Sequence, residues 1–256
     1  MNIQKITGIY FSPTGTTKSV IKHILSEFEA EREEIDLTPY ESRNQSYSFN
    51  ENELVIIGIP VYGGRVPITA EERIKLLSGN NTPIVLVATY GSIHYSNALF
   101  ELGSIVAERG FTTIGAAIVV SEHNAVSGIA IGRPNAHDLS AVSSFIAHIQ
   151  DKLTHSSSIE SIVLKGTMPK IPRAKQPLWP HGDKKCTHCG VCNKLCPAQA
   201  IDDPRKKAGR ACIHCLRCVK NCPQKARTYG KLLKVGAKLL LALNGSGREK
   251  QSEFFA

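Results

Sequence analysis

Eight cysteines, all between Cys186 and Cys222, are the residues of this 256-residue chain whose spacing speaks most directly of chemistry. They fall in two runs, Cys186-x-x-Cys189-x-x-Cys192-x-x-x-Cys196-Pro197 and Cys212-x-x-Cys215-x-x-Cys218-x-x-x-Cys222-Pro223, offset by 26 residues (212 minus 186). The first 185 residues contain none. Three thiolates at three-residue spacing can wrap one corner of an iron–sulfur cubane. Structural zinc more often takes separated Cys-x-x-Cys or Cys/His pairs, in which a third cysteine three residues on is surplus. Disulfides call for an oxidising compartment, and the opening MNIQKITGIYFS has no basic segment followed by an apolar stretch and cleavage site. The runs therefore predict two clusters that carry single electrons at low potential and perform no bond chemistry themselves.

A second candidate site lies near the start of the chain. The apolar stretch 3–11 (IQKITGIYF) runs into Ser12-Pro13-Thr14-Gly15-Thr16-Thr17. From Lys18 to Glu29, Val20, Ile21, Ile24, Leu25 and Phe28 then recur at three-to-four spacing. That pattern is a strand, a turn and a core-facing helix. A hydroxyl- and glycine-rich turn at such a junction can cradle a phosphate, because helix N–H groups, the helix dipole and side-chain hydroxyls converge there. Gly15 lets the backbone approach the anion closely. Ser and Thr before a helix also serve as plain caps, but four hydroxyls around one glycine exceed what a cap requires. The loop lacks the Gly-x-x-x-x-Gly-Lys of a P-loop and the Gly-x-Gly-x-x-Gly of a dinucleotide fold, which disfavours a nucleoside triphosphate or NAD.

These residues need a scaffold, and residues 1–155 supply alternating strands and helices. Leu54–Ile59, Pro83–Ala88 and Phe111–Val120 read as buried strands, with Ile35–Leu37 a weak second strand. Helices are expected near Thr69–Leu77, Asn97–Arg109 and Ala136–Leu153, the last with Asn135 as its cap. Five strands with intervening helices predict an α/β fold, a doubly wound parallel sheet whose ligand site lies beyond the carboxyl ends of the strands. Three loops leave those ends: the hydroxyl loop, Pro60–Pro67 (PVYGGRVP) and Thr89–Ser96 (TYGSIHYS). The latter two each set a tyrosine beside glycine, where a flat ring can be sandwiched.

On these loops the segment resembles flavodoxin, which binds FMN through a Ser/Thr-x-Thr-Gly-x-Thr phosphate loop and two ring-flanking loops. The resemblance implies that Ser12, Thr14, Gly15, Thr16 and Thr17 hold the FMN phosphate. It further implies that Tyr62, Gly63 and Gly64 line one side of the ring system and Tyr90, Gly91 and Tyr95 the other. A middle-loop glycine of that family can flip its peptide toward the flavin, a part open to Gly63 or Gly64. The chain departs from flavodoxin in the segment Ser121–Pro134 (SEHNAVSGIAIGRP), from which His123, Asn124 or Arg133 can reach the flavin or the cysteine runs, unless it is simply an ordered surface loop.

The cysteine runs in turn resemble the bacterial ferredoxin with two [4Fe–4S] clusters, a small α+β unit. That resemblance implies crossed ligand sets: Cys186, Cys189, Cys192 and Cys222 for one cluster, and Cys212, Cys215, Cys218 and Cys196 for the other. Gly190 follows Cys189 where Leu216 follows Cys215, so the two cluster environments are expected to differ. A unit of 183–230 builds little core, and metal–thiolate bonds must supply its folding energy. Ahead of it, residues 156–182 form a linker whose prolines (Pro169, Pro172, Pro177, Pro180) predict a semi-rigid spacer, with Trp179 packing onto the cluster unit. Within 231–256, Lys231–Leu243 is a basic amphipathic stretch that docks on the flavin domain or makes weak peripheral membrane contact. Asn244–Ala256 reads as a frayed tail.

The net charge of +9 is unevenly spread: residues 1–164 carry −6 and residues 165–256 carry +15. Basic faces can bind nucleic acid, but no aromatic-interleaved basic stretch or recognition motif accompanies this one, and no nucleic acid is expected. The favoured uses are steering an acidic redox protein partner, such as a ferredoxin-like carrier, or docking on the acidic half of the same chain or of a second copy in a homodimer. Leu239–Leu243, the longest apolar run near either end, is far too short to span a bilayer. A soluble, cytoplasmic protein without a transmembrane segment is expected. As a whole the chain resembles fused flavodoxin–ferredoxin proteins, also described as iron–sulfur flavoproteins of anaerobes. The resemblance implies electron transfer between FMN, two [4Fe–4S] clusters and a soluble redox partner. The alternative is a ferredoxin-dependent oxidoreductase that reduces a small molecule at FMN, with a redox sensor third.

Overall fold

Aliphatic runs buried on both faces build most strands: β1 (Lys5–Tyr10), β2 (Glu31–Asp36), β3 (Tyr47–Phe49), β4 (Glu53–Pro60), β5 (Leu77–Gly79), β6 (Thr82–Tyr90) and β7 (Phe111–Val120). Helices α1 (Thr16–Ser26), α2 (Ile68–Ile74), α3 (Ala98–Ala107) and α4 (Ala136–His155) alternate with them. The structure, a computed structural model, describes residues 3–126, 128–155, 160–169, 179–229 and 250–256. Lys231–Leu243 and Pro172–Pro177 lie outside the described residues.

The main sheet has the order β2-β1-β4-β6-β7, all parallel. Counted along the chain, these five strands run 2-1-3-4-5, the flavodoxin-like doubly wound order, whose switch point falls between β1 and β4. Parallel sheets of this kind are covered on both faces. Val20, Ile21, Ile24 and Leu25 of α1 and Val142, Phe145, Ile146 and Ile149 of α4 cover one. Ala70 and Ile74 of α2 and Leu99, Leu102 and Val106 of α3 cover the other. Asn135 caps α4 as expected: its Oδ1 accepts the Asp138 N–H at 3.1 Å while the Asp138 carboxylate accepts the Asn135 N–H at 2.9 Å.

Two sequence expectations are corrected. The second strand is longer than Ile35–Leu37 because its start, EREE, is an exposed, charged edge that carries no apolar signal. Within Asn244–Ala256, residues 250–256 are not frayed. Strand β10 (Glu253–Phe255) pairs antiparallel with β7, making six strands, and closes the edge that the five-strand expectation left bare. Phe254 packs on Phe145 with ring centroids 5.3 Å apart, and Tyr95 Oη donates to Glu253 at 2.8 Å. Part of the expected linker also lies on the sheet: Ile162 N–H donates to Thr113 O at 2.8 Å, and Leu164 packs on the core.

Residues 179–229 form a smaller unit with two four-residue helices, α5 (Val191–Lys194) and α6 (Arg217–Lys220), and two short paired strands, β8 (His181–Gly182) and β9 (Arg227–Thr228). The sequence repeat is also a backbone repeat. His188 and His214, Gly190 and Leu216, and Gln199 and Lys225 each pair at the 26-residue offset, and all six sit at positive φ. Buried Arg227 bonds the carbonyls of Pro180 at 2.9 Å and Lys206 at 3.2 Å. The Trp179 ring packs edge-on against His214, 4.9 Å between centroids.

Candidate functional site

The repeat folds the eight cysteines into two groups. Cys186, Cys189, Cys192 and Cys222 line one cavity, and Cys196, Cys212, Cys215 and Cys218 line another. This is the crossed grouping that the ferredoxin resemblance implies: the turn before Pro197 or Pro223 carries each fourth cysteine to the opposite cavity. All eight are free thiols. Burial raises Cys192, Cys215 and Cys218 above the ordinary thiol range and pushes Cys212 up to about 11. Four such sulfurs around one cavity suit a soft metal that takes them as thiolates and displaces their protons. Main-chain donors already face them: Ala200 N–H to Cys196 Sγ and Ala226 N–H to Cys222 Sγ, both at 3.3 Å, and His214 N–H to Cys212 Sγ at 3.4 Å. Such bonds favour the anionic form. Among the described residues no three His, Cys, Asp or Glu side chains are grouped to hold a metal ion. Each cavity is lined by four cysteines, a donor set that suits a soft metal or an iron–sulfur cluster.

The third cavity lies at the switch point, beyond the carboxyl ends of β1, β4 and β6. Thr14, Thr16 and Thr17 form its floor, Val61 and Tyr62 one wall, and Gly91, His123 and Asn124 the other. Gly15 takes φ +90° as the residue before α1, a conformation that glycine adopts freely, and no side chain caps the helix. The N–H groups of Thr16 and Thr17 are thus open to an anion, whereas Gly15 N–H donates to Ser12 O at 3.3 Å, Lys18 N–H to Ser12 Oγ at 2.9 Å and Ser19 N–H to Gly15 O at 3.0 Å. Thr17 Oγ1 meets Thr89 Oγ1 at 2.8 Å, and Thr38 Oγ1 accepts from Ser12 N–H at 2.8 Å. Hydroxyls, open N–H groups and a side-chain-free Gly15 fit a phosphate.

The ring-flanking residues are placed differently from one another. Tyr62 lines the cavity with its ring half-exposed, while its hydroxyl is buried and has no hydrogen-bond partner. Burial holds that phenol well above its usual pKa, reinforced by Cys215 and opposed by Arg217. Gly63 and Gly64 (φ +59° and +75°) occupy a tight turn closed by paired Tyr62–Arg65 backbone bonds, the geometry of a two-residue hairpin turn. Tyr90 is turned into the core and Tyr95 packs edge-on against it at 5.4 Å, tied to Glu253. From the third loop Thr89 and Gly91 line the cavity, and a Cβ at Gly91 would sit 2.6 Å from His123 Cδ2. The His123 ring therefore lies where a larger residue at 91 would be. Its Nδ1 accepts from Ala125 and Val126 N–H at 3.1 and 3.0 Å, and burial keeps its pKa below 6.5.

Of the Ser121–Pro134 candidates, Asn124 reaches the cysteine unit, donating to Cys215 O at 3.3 Å, whereas Arg133 pairs with Asp138. Sequence reasoning missed the residues that join the two units. Arg217 donates to Pro13 O at 3.1 Å and Lys220 Nζ to Thr14 O at 2.7 Å, so two cations of α6 clasp the carbonyl side of the hydroxyl loop. Buried Arg73 donates to Pro197 O at 2.6 Å. Arg217 was findable: it replaces Val191 of the first run, an added charge beside cysteine ligand positions.

No protein-family model and no curated protein matches the chain. Similar solved structures include oxidised flavodoxin 2 from Bacillus cereus, 16% identical with a TM-score of 0.43, over 58% of this chain and 99% of that one. The flavodoxin of Fusobacterium nucleatum bound to flavin mononucleotide is 15% identical with a TM-score of 0.40, over 58% and 98%. Rubredoxin oxygen:oxidoreductase of Desulfovibrio gigas is 11% identical with a TM-score of 0.42, over 59% and 36%. The flavodoxin-like fold is assigned here on strand order alone. Among the described residues no helix is long and apolar enough to cross a membrane.

Proposed function

We propose that this chain is an electron-transfer flavoprotein that holds FMN over the hydroxyl loop and two [4Fe–4S] clusters in the two cysteine cavities. The observation that carries the reading is the sharing of walls: Arg217 lines a cysteine cavity and grips the hydroxyl loop, while Asn124 lines the loop's cavity and grips Cys215. When bound, FMN supplies one- or two-electron exchange and the clusters single-electron exchange. Ser12, Thr14, Gly15, Thr16 and Thr17 bind the phosphate through N–H and hydroxyl groups. Arg217 and Lys220 add positive charge behind the loop, which favours a dianion. Tyr62 and His123 wall the ring site, and His123, neutral at pH 7, adds no charge there.

The cysteine unit exchanges single electrons with a soluble redox protein. The test is composition: anaerobically reconstituted protein contains one FMN and about eight irons per chain. Iron without flavin overturns the reading. The polar wall of Glu122, His123 and Asn124 favours, as second reading, an oxidoreductase that reduces a small molecule at the flavin. Turnover of reduced ferredoxin that requires an added acceptor separates the two.

A further inference from the structure

The two cysteine cavities are not equivalent in position. Contacts with the sheet domain gather around the second: Arg73 bonds Pro197 O, Asn124 bonds Cys215 O, Arg217 bonds Ser12 and Pro13 carbonyls, and Ile213 packs on the sheet core. Its Cys215 and Cys218 are buried, and the partnerless Tyr62 hydroxyl is buried between it and the FMN cavity. Around the first cavity Cys192 is equally buried, but the contacts differ. Among the described residues, none of 183–195 hydrogen-bonds to the first 155 residues, and Cys189, Pro223 and Gln224 are exposed.

The surface around that first cavity is strongly basic. Residues 183–229 carry 11 Lys+Arg against 3 Asp+Glu. Lys184, Lys185, Arg205, Lys206, Lys207 and Lys225 are all exposed, and each is a near chain neighbour of a residue lining the first cavity. Arg205 itself donates to Cys186 O at 3.3 Å. The cations that face the sheet domain, Arg217 and Lys220, are by contrast already engaged on the hydroxyl loop. Apart from the Arg205–Cys186 O bond and a Lys206–Asp203 pair at 4.0 Å, the exposed positive rim around the first cysteine cavity has no hydrogen bond or ion pair to the sheet domain among the described residues.

We propose that the chain is a polar wire: the cavity of Cys196, Cys212, Cys215 and Cys218 is the inner station facing the flavin, and the cavity of Cys186, Cys189, Cys192 and Cys222 is the outer station, where an acidic one-electron carrier protein docks on the rim of Lys184, Lys185, Arg205 and Lys206. This rests on the functional reading above. Each docking event oxidises the carrier's metal centre by one electron and reduces the outer cluster by one, with no bond made or broken and no proton moved. Complementary charge at the exposed cluster accelerates encounter and orients the carrier over it.

The test uses a two-[4Fe–4S] ferredoxin of net negative charge, reduced with dithionite and freed of excess reductant, mixed by stopped flow with the loaded full-length protein while flavin absorbance is followed. The wild-type second-order rate constant falls steeply as salt rises. The triple variant Lys184→Glu, Lys185→Glu, Lys206→Glu slows it by about tenfold or more at low salt and flattens the salt dependence, and the triple Gln variant falls between. Lys22→Glu, on the far domain in a 3.2 Å pair with Glu34, leaves the rate unchanged. A rate and salt slope within about twofold of wild type in both triple variants overturn the proposal. Iron, FMN and the extent of reduction by dithionite are measured on every variant. Loss of either cofactor from the wild type counts against the functional reading, whereas fully loaded variants with indifferent kinetics count against the docking rim alone.

Discussion

Replacing Arg73 by Met removes a charged latch while keeping much of the side chain's apolar bulk. Arg73 is 2% exposed. Its guanidinium bonds Thr38 O at 3.1 Å, Leu37 O, and across the domain boundary Pro197 O at 2.6 Å, and it stacks at 5.6 Å from the Phe11 ring. A hydrogen bond to a charged group is worth about 1.5–3 kcal/mol, and orphaning buried acceptors adds desolvation cost. With three carbonyls left behind and partial rehydration of some, the expected loss is about 3–5 kcal/mol. For a chain of this size that lowers the melting temperature by about 6–20 °C. Thermal unfolding followed by circular dichroism reads the loss. Hydrogen exchange at Cys196–Ala200 reads whether the cysteine unit has come free, and Arg73→Lys, with a single ammonium, falls between. A Met variant melting within about 2 °C of wild type, with unchanged exchange at that segment, refutes the latch.

Phe254→Ala strips the half-buried ring from Phe145 and costs about 1.5–2 kcal/mol, roughly half of a full core Phe→Ala, read as a shift in urea midpoint. Cys222→Ser abolishes the same cluster EPR signal as Cys189→Ser, and Cys196→Ser the same one as Cys215→Ser; pairing by run instead would refute the crossed assignment. Gly91→Ala drives a methyl group against the His123 ring, which sits 2.6 Å from that Cβ, so FMN titration shows weaker binding in a folded protein. Burial holds His123 and His214 below 6.5 in the fold while the unfolded chain keeps the ordinary value, so the unfolded state binds more protons at acid pH. Stability contributed by the two rings is complete above pH 6.5 and is lost as pH falls through it. Urea midpoints at pH 7.5 and 5.5 show the drop, and His123→Gln flattens it.

The parts legible in the sequence were those governed by periodicity or fixed spacing. The aliphatic runs at Leu54–Ile59 and Pro83–Ala88, the hydroxyl loop before α1 and the 26-residue cysteine repeat each announce a local geometry. Strand β2 was seen only at its apolar end because edge strands are polar by nature, and β10 was invisible because three residues, EFF, gain strand character only from the β7 edge they meet. The flavodoxin resemblance sets Tyr90 and Tyr95 at a ring site; in the structure Tyr90, the last residue of β6, is buried in the core with Tyr95 packed against it, and Gly91 lines the cavity. Arg73 and Lys220 carried no local signal. The carbonyls they reach across the domain boundary, Pro197 O and Thr14 O, lie 124 and 206 residues away in chain order, and nothing in a neighbouring residue encodes that pairing.

Strand β10 alters what the cysteine unit is, mechanically. The stretch after α4 leaves the sheet, carries all eight cysteines, and rejoins the same sheet beside β7. It is therefore a closed loop anchored at both ends, and not a pendant arm on a single hinge. Closing a loop at both ends raises the local concentration of the Arg217–Lys220 clasp at the hydroxyl loop relative to a single tether. The spacing between the hydroxyl loop and the cysteine cavities rests on this double anchoring as well as on the strength of any one contact.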